Sequence, residues 1–239
     1  MAIAALVFFN LNLGLMTNKL VKILHRRKYE VLLFALVQHL FIGIFLPYLS
    51  SYTVLLWAVN LIILGLSSIG VFIEKGKFKN IIRNVLFIVV FILTFIVPFI
   101  QKFNRFYPVL GISYVMFFSF IFFEVIKFLI RPGYINIDII VAAACGYFLL
   151  IEISVFLMMS IFYINPHSFS GISAVSVPAT YVDFIYFCSI TFTSIGFGDI
   201  LPNTHYTKLL TSFLGISGQF YTVMLVGILI SKFSSQLNK

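Results

Sequence analysis

The chain has 239 residues, 62% of them hydrophobic and 10% charged, with a net charge of +9 and a mean hydropathy of +1.12. A soluble globular domain averages about 25% charged residues, so this composition excludes a soluble protein and calls for one that lies mostly in lipid. The positive balance does not point to nucleic acid, because the basic residues sit in clusters between apolar runs, as loop charges at a membrane surface do.

Taken in order, residues 1–30 are apolar first and basic afterwards. Ala2 to Leu15 is short for a span and carries Asn10 and Asn12. Lys19, Lys22, Arg26, Arg27 and Lys28 follow it, whereas a secretory signal has its positive charge before the apolar region. The expectation is an N-terminal helix lying on the cytoplasmic interface, preferred over an extra span or a cleaved signal. Six spans follow, over residues 31–50, 54–73, 81–100, 109–130, 139–163 and 207–231. Each meets the roughly 20 apolar residues needed to cross about 30 Å of hydrocarbon. Ser50 to Thr53 makes a short hairpin connection, Glu74 to Asn80 a basic loop, and Gln101 to Pro108 a short aromatic loop. Arg131-Pro132-Gly133 breaks the helix between the fourth and fifth spans, because Pro and Gly end helices. With both termini inside, 13 of the 16 Lys and Arg residues fall on the cytoplasmic side, as the positive-inside rule requires. Cys145 and Cys188 lie in apolar segments without a neighbouring ligand, so neither a disulfide nor a metal site is expected.

Between the fifth and sixth spans the pattern changes. Asn165 to Thr180 is polar and contains Ser, Gly and Pro. A short helix is expected over 182–193, capped by Thr180 or Asp183. It is too short to span, so it enters the membrane and returns. Its C-terminal end, with a partial negative charge, points toward the membrane centre and favours a cation there. The run that follows is Thr193-Ser194-Ile195-Gly196-Phe197-Gly198-Asp199. Glycines alternate with bulky apolar residues, so that every second residue can take dihedrals closed to other side chains and successive carbonyls can face one way. A ring of such loops stacks oxygens that replace the water shell of a dehydrated cation. A tight turn between two helices explains the glycines, but not the hydroxyl pair, the Asp and the flanking helices together.

This run resembles the selectivity filter of the potassium channel family, written T-T-V-G-Y-G-D, with Ser194, Ile195 and Phe197 as departures. Ser194 keeps the hydroxyl at the innermost position and lacks the packing methyl of Thr. The resemblance implies an all-α membrane protein of six transmembrane helices, with a re-entrant pore helix and filter loop between the fifth and sixth, and a homotetrameric pore in a lipid bilayer. It divides the chain into an N-terminal segment 1–30, a peripheral four-helix domain 31–130, a pore domain 139–232 and a short cytoplasmic tail 233–239. The pore domain holds an outer helix 139–163, the pore helix 182–193, the filter 194–198 and an inner helix 207–231. Residues Thr193 to Gly198 are the implied ion-binding loop, with K+ at the carbonyls of Ser194, Ile195, Gly196 and Phe197 and at the Ser194 hydroxyl. Thr193, Ile195 and Phe197 side chains would pack behind it. Tyr186 stands where the family has an aromatic donor to the mouth Asp, so a Tyr186–Asp199 bond is the expected brace. An ungapped register puts Gly218 at the family's hinge, with close helix packing as the competing reading.

The other four spans depart from voltage-sensing relatives. A voltage sensor needs several Arg or Lys at every third position of the fourth span, and residues 109–130 offer only Glu124 and Lys127. Weak or absent voltage dependence is therefore expected. No soluble ligand-binding domain is expected after Lys232, and no cofactor beyond the permeant K+. Glu152 lies near mid-depth in the fifth span, where a protonated carboxyl can brace the pore helix. Gln38, His39 and Asn60 read as hydrogen-bonding glue between helices. His167 and His205 fall on the outer side as ordinary surface histidines or, less simply, as proton sensors. The implied function is a passive potassium-selective channel in the cell membrane with both termini cytoplasmic. The alternatives are a weakly selective cation channel, which Ser194 keeps open, and a potassium-uptake transporter subunit, against which the single filter loop counts. No His/Glu/Asp cluster, nucleophile elbow or phosphate loop supports an enzyme.

Overall fold

The computed structural model describes residues 26–45, 53–72, 75–96, 106–130 and 136–237. The expected interfacial helix before residue 26, residues 50–52 of the hairpin connection, most of the aromatic loop before Phe106, the Arg131-Pro132-Gly133 break and the last two residues lie outside them.

Among the described residues seven α-helices follow one another: α1 (Lys28–Phe41), α2 (Thr53–Phe72), α3 (Lys77–Ile96), α4 (Phe106–Ile130), α5 (Ile137–Ile164), α6 (Val177–Phe192) and α7 (His205–Leu237). A 3₁₀ turn, Ile42–Phe45, continues α1. Among the described residues, five helices (α2, α3, α4, α5 and α7) are long and apolar enough to cross a membrane. The apolar runs located these helices. Their ends differ where polar residues are good helix formers. Lys77 and Lys79 sit inside the first turn of α3, four residues before the expected start at 81. Helix α7 runs on to Leu237, beyond the expected end at 231. At 1.5 Å per residue it is about 50 Å long, well over the hydrocarbon thickness. Arg83, in the second turn of α3, is 3% exposed, its guanidinium 5.9 Å from the ring centroid of Phe72.

Helix α5 is the hub. It packs most extensively on α4 and also touches α1, α6 and α7. Asn136 caps it, its side chain accepting from Ile139 N at 3.1 Å, and Asp138 lies in its first turn, both favourable at a helix N-terminus. Of the apolar stretch of α5, 61% is buried, against 17% for α7. The core between the helices is built from Leu32, Leu36, Leu61, Phe117, Phe118, Leu149, Val155 and Phe184. Tyr221 on α7 reaches across to α5 and donates to the Ala143 carbonyl at 2.7 Å. Outside the helices, Phe169–Ser170 pairs antiparallel with Leu201–Pro202. These two short strands are the departure from the expected all-helical fold among the described residues. They close the base of the loop that carries the site.

Candidate functional site

Helix α6 starts earlier than expected, at Val177 rather than 182. Ser176 supplies the cap, its Oγ accepting from Ala179 N at 3.3 Å, and Pro178 stands in the first turn, where a missing N–H costs nothing. The two residues expected to cap do other work. Thr180 Oγ1 lies 2.9 Å from the Ser173 carbonyl and 3.1 Å from that of Ser176, and Asp183 Oδ2 accepts from Ser173 N at 2.6 Å. Both tie the preceding polar loop onto the helix. At 16 residues, about 24 Å, α6 is too short to span by itself.

The helix ends in the loop. Ser194 has φ +59, Gly196 φ +56 and Gly198 φ +82, so every second residue is left-handed. A Cβ added at Gly196 or Gly198 would meet nothing within 4 Å. Glycine is required there by backbone conformation, not by space. Ser194 is the one non-glycine residue with positive φ among the described residues. For an ordinary residue that conformation costs roughly 1–2 kcal/mol. Part of the reason is local, since a left-handed residue is a common way to end a helix. Ser194 N donates to the Thr191 carbonyl at 3.1 Å. Ile195 N and Gly196 N both donate to the Ile190 carbonyl, at 2.9 and 3.3 Å. The loop is thus wound onto the C-terminal end of α6.

Side chains divide by direction. Thr193 Oγ1 turns back to the Ser189 carbonyl at 2.8 Å. Ile195 and Phe197 are 57% and 70% exposed on the single chain. The Phe197 ring lies parallel to that of Tyr186, centroids 6.3 Å apart. Asp199 beside the Tyr186 hydroxyl raises the phenol above its ordinary pKa, first through hydrogen bonding, then through desolvation and the carboxylate charge. Beyond Asp199, Asn203 N donates to the Ser168 carbonyl at 2.9 Å, and Thr207 Oγ1 donates to the same oxygen at 3.1 Å. These bonds fix where the chain returns into α7.

Helix α7 then passes the inner end of the loop. A Cβ at Gly218 would lie 2.7 Å from Cδ1 of Phe192, the last residue of α6. The close-packing reading of Gly218 therefore has a specific partner. One residue on, Gln219 Nε2 donates to Ser194 Oγ at 2.6 Å. In the sequence Gln219 has a place in the last span but no role of its own. The available signal was a carboxamide beside a glycine in the middle of an apolar stretch of helix.

Behind α6 lies a second set of polar contacts. Glu152 does not reach the pore helix directly. Its Oε1 lies 2.6 Å from Nδ1 of His39, on α1. Tyr181, on α6, donates its hydroxyl to the His39 carbonyl at 3.1 Å and lies 3.2 Å from Nδ1. His39 and Glu152 are both fully buried. Rings of Trp57, Tyr114, Phe118, Phe156 and Tyr181 surround the imidazole at centroid distances of 5.7–6.1 Å. The brace expected of Glu152 runs through His39. Asn60 is buried with both side-chain polar atoms unpaired, so its role as glue has no partner among the described residues. His167 and His205 are exposed near the loop's return. At the far end of the peripheral helices, Glu124 on α4 gathers Lys79 at 2.6 Å, Lys127 at 3.3 Å and Lys75 at 3.4 Å.

A loop of this backbone, held between a short apolar helix and a long one, has the character of an ion-conducting pore loop. The comparisons agree. A family model described as "Ion channel" matches residues 140–235. Among curated proteins, Two-pore potassium channel 1 of Arabidopsis thaliana is 36% identical over 74 residues, which is 31% of this chain and 17% of that protein. Over residues 140–235 the chain is thus similar to ion channels, and over 74 residues to a potassium channel. The chain spans only a small part of that relative's length. No solved structure matches the chain significantly.

Proposed function

We propose that four copies of this chain surround one axis and form a potassium-selective channel that conducts K+ passively across the cell membrane. The observation that carries this reading is the alternation of left-handed residues at Ser194, Gly196 and Gly198 directly after a short helix end. In a fourfold ring, the carbonyls of Ser194, Ile195, Gly196 and Phe197, with the Ser194 hydroxyl, form the ion sites and take the place of water around K+. The tetramer also answers a physical need. Non-helical backbone at membrane depth is stable only where protein or a watery cavity covers it, and one chain leaves residues 193–199 exposed. We read residues 31–50 as a sixth span, both termini as cytoplasmic, and Asp199 at the outer mouth braced by Tyr186.

The channel is read as voltage-insensitive. Helix α4 presents Glu124 and Lys127 where a sensor would present a ladder of cations, and Glu124 is neutralised by lysines from α3 and the loop before it. A second reading, a weakly selective monovalent cation channel, is favoured by one residue. Ser194 lacks the methyl that stiffens a threonine at the innermost position. The two are separated by the reversal potential of the purified protein in a planar bilayer with K+ on one side and Na+ on the other. Reversal near the K+ equilibrium potential is expected. Reversal near zero with clear current would replace the first reading by the second. A protein that assembles but carries neither current nor K+-dependent flux would overturn both.

A further inference from the structure

The backbone of the loop accounts for ion coordination, but not for how a serine serves at its innermost position. Serine has three staggered rotamers open to it, whereas a β-branched side chain is restricted at χ1. An unrestrained Ser194 hydroxyl would swing between facing an ion and facing protein. The structure supplies a restraint from another element. Gln219 Nε2 donates to Ser194 Oγ at 2.6 Å, and both side chains are exposed on the single chain. The approach is registered by close packing one residue earlier, where Gly218 leaves no room for a Cβ beside Phe192. One turn before, a Cβ at Gly215 would stand 3.7 Å from Thr191 Cγ2. Helix α7 is thus seated on the C-terminal end of α6, which is where the left-handed Ser194 begins the loop.

We propose that Gln219 is a specificity-determining residue of this channel: its carboxamide fixes the Ser194 hydroxyl and so sets the geometry of the innermost ion site. A hydroxyl oxygen has two lone pairs. The Gln219 N–H takes one and leaves the other to face an ion. A threonine methyl would restrain the hydroxyl by sterics; in this chain a hydrogen bond from the inner helix does so instead. This inference rests on the reading of residues 194–198 as an ion filter.

The test uses the full chain in planar bilayers and compares wild type with Gln219→Leu, which removes the donor at similar size. Two quantities are read: the K+/Na+ permeability ratio under bi-ionic conditions, and block by Ba2+ applied from the cytoplasmic side. Ba2+ has the radius of K+ and twice its charge, so it probes the geometry of an inner oxygen site directly. Losing one hydrogen bond at a charged site should lower the permeability ratio and weaken the Ba2+ block by roughly five- to tenfold each. Adding Ser194→Thr to Gln219→Leu should restore both to within about twofold of wild type, since the β-branch replaces the lost restraint. Should Gln219→Leu fail to assemble, Gln219→Met, which keeps an unbranched stem without a donor, carries the same expectation. Failure of both variants to assemble would make Gln219 a structural residue and overturn the proposal. An unchanged ratio and unchanged block in either variant would overturn it as well. If wild type itself reverses near zero, the filter reading has failed, not merely the part assigned to Gln219.

Discussion

The two sides of α6 are both apolar, yet only one is finished by the chain itself. Toward α1 and α5 the helix buries Tyr181, Phe184, Cys188 and Phe192, each at most 1% exposed. Polar contacts on that side link three helices, through His39 Nδ1, Glu152 Oε1 and the Tyr181 hydroxyl, while His39 Nε2 and Glu152 Oε2 stay buried without a partner among the described residues. Past its C-terminal end the picture reverses. Ile195 and Phe197 stand exposed, and so do Leu209, Phe213, Ile216 and Phe220 along α7. Lipid tolerates exposed side chains of this kind, because it is as apolar as they are. It does not tolerate a loop with free backbone groups. One side of the pore unit is therefore the subunit's own core, and the other has the character of a surface that further copies cover. This contrast is the physical ground for reading an assembly.

The contrast can be broken most severely on the finished side. Replacing Glu152 by Leu leaves His39 buried among five rings without its carboxylate. Removing one partner of a buried pair typically costs about 3–5 kcal/mol. Glu152→Leu is expected to lower the thermal stability of the purified assembly by an amount of that order. The double variant His39→Leu/Glu152→Leu should recover a large part of it, because no uncompensated polar group remains. A single variant as stable as wild type would mean that the pair contributes nothing to holding α1 and α5 on the pore helix.

A smaller effect is expected where the two sides meet. Gly218→Ala pushes a methyl into Phe192, and overpacking of this kind costs typically about 1–3 kcal/mol. Trimming the obstacle with Phe192→Leu should relieve it. Stability and single-channel opening measured on both variants separate the two readings of Gly218. If the double variant regains wild-type opening, close packing governs the position. If stability returns while opening stays impaired, bending at the glycine governs it.

How much of this was legible in the sequence depended on the range of each interaction. Long apolar runs located α2, α3, α4, α5 and α7, since span length is a property of consecutive residues. The alternating glycines announced the loop for the same reason. The start of α6 was misplaced because Ser176 and Pro178, a helix cap and a first-turn proline, were read as part of the polar loop, while Thr180 and Asp183 looked like caps. The pairing of Glu124 with Lys127 is an i,i+3 contact and was visible. Its shorter contact to Lys79, 45 positions away, was not. His39 meets Glu152 across 113 positions and Tyr181 across 142. Nothing local marks such partners. Only their improbability in lipid identifies His39 and Glu152 as residues needing one.

The smallest expected effect on stability, and the most specific on function, belongs to the exposed end of the comparison. In the proposed channel, Tyr186 beside Asp199 would brace the pore helix against the outer mouth in a solvated setting. The phenol is an acid whose folded pKa is raised, so its neutral, donating form is the one the structure favours. That contribution is fully present below the ordinary tyrosine pKa of about 10 and is lost only as pH rises through the raised value. Across pH 6 to 9 the brace should not titrate, and pH changes in that window should leave it intact. Tyr186→Phe removes the donor and keeps the ring that stacks on Phe197. Thermal stability should barely change. The filter should instead lose its conducting shape more readily, seen as a faster decline of current during sustained opening, and alkaline external solution above about pH 10 should produce the same decline in wild type. If Tyr186→Phe leaves both selectivity and the time course of the current as they are, Asp199 is only a solvated charge at the mouth. The unfinished side of the pore unit would then draw its rigidity wholly from contacts between subunits.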